Sequence, residues 1–191
     1  MNIKDKIITV CRDLARERGF HNINMDELAN RAGVSKRTVY RYFTGKEAII
    51  EATLDAFMAE VAFEAERLLQ TEKEPAQILS GLLNYLFIHG QFVTNSCSFN
   101  DLRVYYPYLW QKIDRFRLER IVSVLDFISS REESGITSEV DPRIVSAVIM
   151  ASIQAVLNPD FVLANHLTFE ETARQLSNML LNGLIPRYAT S

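Results

Sequence analysis

Between residues 35 and 46 the sequence places Lys36, Arg37, Arg41 and Lys46 without one carboxylate. Cations at that density suit a surface that approaches phosphates, and a guanidinium or ammonium can also donate to the O6 and N7 edge of guanine. Arg37 is the first candidate for such a base contact and Lys36 the second. Thr38 is short enough to touch a thymine methyl group or a phosphate. Tyr42 joins an apolar ring, able to lean on the protein, to a hydroxyl that can reach a nucleic-acid backbone; Phe43 belongs with the core. Lys46 falls in the first turn of a helix, where a cation opposes the positive end of the helix dipole, and a bound phosphate would remove that objection. The alternative for the same residues is an ordinary solvated face.

Residue sets that do covalent chemistry are missing. His21, His89 and His166 are widely separated, and the sequence has no HExxH, no phosphate loop, no GxSxG and no cysteine pair spaced for zinc. Glu60 with Glu64, and Glu170 with Arg174, share helical faces, as solvated helices commonly arrange. An enzyme is excluded on this reading, and neither a metal nor a cofactor is expected. Cys11 and Cys97 form no CxxC or staple pattern, and the first residues carry no cleavable leader, so a reducing cytoplasm is expected. A redox role for Cys97 stays open as a variant, without a visible activating partner.

The elements that position the cations follow from periodicity. Ile3, Ile7, Val10, Cys11 and Leu14 recur at helical intervals up to Gly19. Asn24 and Glu27 have the spacing of a capping box for a short helix carrying Leu28, Ala29 and Ala32. Gly33 supplies the turn, Val34 can bury itself in the angle, and Ser35 can cap a helix over Lys36 to Phe43. A second box, Thr44 to Glu47, opens a long helix through Ile49, Leu54, Phe57, Val61 and Leu68. Further helices are expected near 76–90, 99–106, 107–130, 141–159 and 168–184, with a polar loop at 131–138. The expected fold is all-α, about nine helices: a three-helix N-terminal domain over 1–47 and a larger helical domain over 48–191.

Charge divides the chain at the same place. Residues 1–47 hold ten basic side chains against six acidic ones, although the whole chain carries a formal charge of -3. Residues 75–100 contain no Lys, Arg, Asp or Glu, but Gln77, Asn84, His89, Gln91 and Asn95 interrupt them, so a buried helix is expected there rather than a membrane span.

A supporting helix, a short helix, a glycine turn and a second short helix make a helix-turn-helix, whose last member can enter a major groove. The stretches IITVCRDLARERGF, ELANRAGVSKRTVYRYF and TGKEAII resemble the DNA-binding domain of the TetR family of repressors, over roughly residues 4–50. Val39 stands where that family often has Leu, and Met25 where it often has Thr; neither change threatens the geometry. The resemblance implies phosphate contacts for Tyr40 or Tyr42 and for Lys46. It also implies a palindromic site on double-stranded DNA, read by a homodimer.

The remainder would then dimerise and sense. The segment from Ile144 to Pro159 has no formal charge, with one stripe of Ile144, Val148, Ala151 and Ala155 and another of Val145, Ile149, Ser152 and Val156. Two stripes ask for two partners, so the helices near 142–158 and 168–185 are expected to bury one side at home and the other against a second copy. A small organic effector is implied by the resemblance. Asn84, Tyr85, His89, Phe92, Phe99, Tyr106, Trp110 and Gln154 are the candidates to receive it, core packing being the alternative for each aromatic. The effector must prefer the conformation whose two readers are wrongly spaced for DNA. A constitutive repressor whose body only dimerises remains the other reading.

Overall fold

The computed structural model describes residues 2–72, 75–129, 141–157 and 159–184, which form helices joined by short turns with no strand among them. In chain order these are α1 (Ile3–Arg18), α2 (Met25–Arg31), α3 (Lys36–Tyr42), α4 (Lys46–Thr71), α5 (Pro75–His89), α6 (Gln91–Thr94), α7 (Ser96–Tyr105), α8 (Pro107–Ser129), α9 (Pro142–Val156), α10 (Pro159–Ala164) and α11 (Phe169–Leu184). The all-α architecture expected from periodicity is present. The helices it did not separate are α6 and α10, of four and six residues, too short for an apolar period to register. The polar loop expected at 131–138 lies outside the described residues.

Local chemistry sets the helix ends. The Asn2 side chain accepts from the Asp5 amide at 2.9 Å while the Asp5 carboxylate accepts from the Asn2 amide, a reciprocal cap that starts α1. Asn24 caps α2 through the Asp26 amide, but Glu27 does not complete the expected box: its carboxylate is taken by Arg18 and Arg31, whose charge-assisted bonds outcompete a backbone amide. The box expected over Thr44 to Glu47 is also not formed. Gly45 sits at the cap of α4, and no side chain bonds the first turn. Thr168 and Glu171 do make a reciprocal box at the start of α11.

The main core runs from the N-terminal helices into the larger domain without a break at residue 47. Ile7, Leu14, Phe20, Leu28, Val39, Ile50, Leu54, Phe92, Leu102 and Leu109 belong to one buried cluster. Phe92 meets Phe20 edge-on at 6.2 Å and Phe57 at 5.1 Å, so a ring from α6 joins α1's end to α4. Each such ring contributes about 1.5–3 kcal/mol by burial. Smaller clusters lie further along: Leu68, Ile78 and Val124 where α4, α5 and α8 meet, and Leu157, Ala173 and Leu176 between α9 and α11.

Helix α9 has two unlike faces. Ile149 is buried and Ile153 and Val156 pack inward, whereas Ile144 (57% exposed), Val148 (47%), Ala151 and Ala155 face outward. Met179 is likewise exposed on α11. The side chains of Val145 and Leu184 and residue 185 lie outside the described set. Among the described residues no helix is long and apolar enough to cross a membrane.

Candidate nucleic-acid interface

Helices α2 and α3 are joined through Gly33, at φ 67°, a left-handed conformation that costs an L side chain energy even though a Cβ there would meet nothing within 4 Å. The Val34 amide donates to the Ala29 carbonyl at 3.0 Å, closing the turn. Ser35 then caps α3 by accepting from the Thr38 amide at 3.0 Å, and the Ser35 and Thr38 hydroxyls bond at 2.8 Å. Val39 and Phe43 anchor the helix in the core. Their burial turns Lys36, Arg37, Tyr40 and Arg41 outward.

Ion pairs decide where the positive charge remains available. Arg31 is bound by Glu17 and Glu27, Arg18 by Glu27, and Arg12 by Glu60. Lys36 pairs with Asp26 at 3.0 Å across the turn, and that carboxylate holds its ammonium above the usual lysine range. Arg37 and Arg41 have no acidic partner among the described residues; Arg41 instead lies over the Tyr42 ring, 5.3 Å from its centre. Tyr40 and Tyr42 are 48% and 42% exposed. The outward surface of α3 is thus two free guanidiniums flanked by two phenols, suited to a polyanion with stackable or hydrogen-bonding edges.

Lys46 is placed differently from the α3 cations. Its ammonium turns back to donate to the His21 carbonyl and is half-buried, which lowers its pKa by desolvation against the opposing pull of Asp101. Sequence spacing gave no sign of this contact, nor of the junction around it. The His21 amide donates to Asp101 on α7, the Ser98 hydroxyl and the Asn95 amide both reach the Ala15 carbonyl, and the His21 ring stacks on Tyr105. Asp101 is buried, and Gly19, at φ 83°, passes so close that a Cβ would collide with its carboxylate. The only advance signal was Gly19 itself, read as a helix stop.

The eight effector candidates do not share one environment. Tyr85 and His89 are neighbours on α5, with rings 4.4 Å apart, and Asn84 on the same helix is exposed. Phe92 is committed to the core beside Phe20 and Phe57. Phe99 packs against Trp110 at 5.1 Å and Phe169 at 5.7 Å, while Tyr106 is buried in the main cluster, where desolvation raises its phenol to about 12. Gln154 is exposed on α9. An open depression of about 470 Å³ lies on that helix, lined by Asp141, Ile144, Ala147, Val148 and Ala151. Among the described residues no three His, Cys, Asp or Glu side chains converge as a metal site requires.

Comparison with known proteins bears on the same surface. The family model for bacterial regulatory proteins, tetR family, matches residues 7–53, the span from α1 into α4. The HTH-type transcriptional regulator YvaF of Bacillus subtilis (strain 168) is 27% identical over 177 residues, covering 90% of each chain. The fatty acid degradation regulator FadR from Bacillus halodurans has a similar fold, with a TM-score of 0.68 and 20% identity over 98% of both chains. So does the transcriptional regulator FadR from Bacillus subtilis, solved in complex with stearoyl-CoA: TM-score 0.64 and 19% identity, over 93% of this chain and 97% of that one.

Proposed function

We propose that this chain, a helix-turn-helix transcriptional regulator that belongs to the tetR family, represses transcription as a homodimer on a palindromic operator and is released by a small organic effector. It is a regulator and not an enzyme. Residues 1–47 act as the DNA reader and 48–191 as the sensing and dimerising body, at work in the cytoplasm.

The observation that carries this reading is the surface of α3, where Arg37 and Arg41 stand exposed without acidic partners beside Tyr40 and Tyr42. Arg37 reads a guanine edge and Lys36 exchanges Asp26 for a base or phosphate. Thr38, Tyr40, Arg41 and Tyr42 hold the backbone, and Lys46 contributes charge close to the uncapped first turn of α4. Two such readers must sit about 34–36 Å apart to enter successive major-groove faces. The outward stripe of Ile144, Val148, Ala151 and Ala155, with Met179 on α11, supports pairing of α9 and α11 with their copies to set that distance. The stearoyl-CoA complex of a protein with this fold supports an organic effector for the body. Typical coupling between effector and operator is about 1–3 kcal/mol.

Capture of genomic fragments by the full chain tests the proposal. Enrichment of a near-palindromic duplex, lost in Arg37→Ala together with Arg41→Ala, is expected. Recovery of no preferred duplex, with weak affinity indifferent to both substitutions, would overturn it.

A further inference from the structure

Among the described residues one carboxylate is bonded to α3. Asp26, on α2, reaches across the Gly33 turn to the Lys36 ammonium, with its two oxygens at 3.0 and 3.1 Å. The Asp26 side chain is 66% exposed, and Lys36 stands on the outward side of α3 with Arg37 and Arg41. Other acids of the reader have partners away from α3: Asp5 shares in the cap of α1, and Glu17 and Glu27 are bound by Arg18 and Arg31. Among the described residues the Asp26 carboxylate bonds nothing but Lys36, and Asn24 caps α2 without it.

Stability does not account for this placement, because an ion pair so open to solvent contributes little to it. Against a polyanion, a carboxylate on the approaching face is repelled by every phosphate it nears. It weakens binding to all duplexes alike unless some of them return a hydrogen-bond donor. In the major groove the donors are the exocyclic amines of cytosine and adenine.

Lys36 and Asp26 together offer a donor and an acceptor 3.0 Å apart. A G·C pair offers the complementary set, guanine O6 as acceptor and cytosine N4 as donor, about 2.9 Å apart because they are bonded to each other. Guanine N7 adds a second acceptor on the lysine side, and no acceptor lies beyond cytosine N4 to repel the carboxylate. An A·T pair has the same two central groups, but adenine N7 lies beside the donor that the carboxylate would take, and the thymine methyl stands against the ammonium. We propose that Asp26 is a specificity-determining residue of the DNA reader: its carboxylate accepts from cytosine N4 while Lys36, released from it, donates to the guanine of the same base pair. This rests on the reader assigned above and deepens it, since a Lys36 that turns to a base edge leaves Asp26 with open acceptor sites.

Selection by the full chain from a library of duplexes with about 20 randomised base pairs, room for two half-sites one helical turn apart, tests the assignment. The parent is expected to recover a near-palindromic site in which one G·C pair of each half-site binds about tenfold more weakly when replaced by A·T. Asp26→Ala should narrow that difference to about twofold and leave the other positions as they were. It should also bind a duplex lacking the site more tightly than the parent does, with a slope of log affinity against log salt steeper by about one. Lys36→Ala should lose its preference at the same pair, and Asp26→Asn should admit A·T there, because an amide both gives and accepts hydrogen bonds. A site whose every position keeps its preference in Asp26→Ala would overturn the assignment and leave the reader standing. So would a uniform loss of affinity for all duplexes, the mark of a merely structural role, or an Asp26→Asn variant that rejects A·T as the parent does, or losses at different pairs in Asp26→Ala and Lys36→Ala. Recovery of no site by the parent would remove the reader itself, and the assignment with it.

Discussion

The backbone amide of His21 donates to the Asp101 carboxylate at 2.8 Å, bonding the loop that ends α1 to a helix eighty residues further along the chain. Around that bond the Ser98 hydroxyl reaches the Ala15 carbonyl at 3.1 Å, and the Tyr105 and His21 rings stack at 3.7 Å. The DNA reader is therefore held by α7 as well as by the helix it leads into.

Asp101→Ala should destabilise the protein by about 1–3 kcal/mol, since it leaves the His21 amide without its acceptor. Asp101→Asn, which keeps an acceptor oxygen, should cost less. Gly19→Ala should cost more than about 1 kcal/mol because it combines positive φ with a collision at the same carboxylate. Urea denaturation measures all three, and midpoints unchanged from the parent would contradict the geometry.

On an identified operator, Arg37→Ala and Lys46→Ala should behave differently. The first should alter base preference at one position of each half-site, costing about 1–3 kcal/mol there. The second should weaken related sequences uniformly and reduce the slope of log affinity against log salt by about one. Titrations at several salt concentrations distinguish them. Because Lys46 also holds the His21 carbonyl, a fall in thermal stability should accompany its loss, and no such fall is expected for Arg37→Ala.

Replacing Ile144 and Val148 together by Glu should leave the subunit folded, since both side chains already face outward, but should separate a dimer into monomers. Light scattering after size-exclusion chromatography reads the mass, and circular dichroism checks the helices. A parent that is monomeric at micromolar concentration would refute the pairing of α9 and α11.

The two thiols should report their surroundings. Cys11 is buried, and desolvation raises its pKa from about 9 to about 11, whereas Cys97 is exposed. At pH 8 a thiol reagent should modify Cys97 and reach Cys11 only after denaturation. The raised folded value favours the neutral thiol, so this group leaves stability unchanged below pH 9. Between about pH 9 and 11 the unfolded chain loses its proton first, and stability should fall by about 1.4 kcal/mol per pH unit from this source. Rapid labelling of both thiols in the folded protein would contradict the packing around Cys11.

Most of the helix-turn-helix was legible because local signals agree there: Ser35 caps, Gly33 turns, and Val39 and Phe43 anchor. Where two acceptors or donors compete, sequence spacing misled. Glu27 had the position of a capping residue but met Arg18 and Arg31 from across the fold, and Thr44 lost the cap of α4 to Gly45. The effector candidates rest on aromatic or polar character, which cannot separate a ring like Phe92, wedged between Phe20 and Phe57, from one lining a cavity. Asp101 gave no signal, because its partner is a backbone amide and amides carry no sequence identity.

The unbroken course of α4 gives the molecule a mechanical ratio. Its 26 residues span about 39 Å at 1.5 Å per residue, with one end beneath the reader and the other beside Ile78. A rotation of about 5° at the far end swings the near end through roughly 3 Å, about the rise of one base step in B-form DNA. In the symmetric pair proposed above both arms would swing, so a displacement too small to disturb side-chain packing in the body would be enough to put two readers out of phase with the groove.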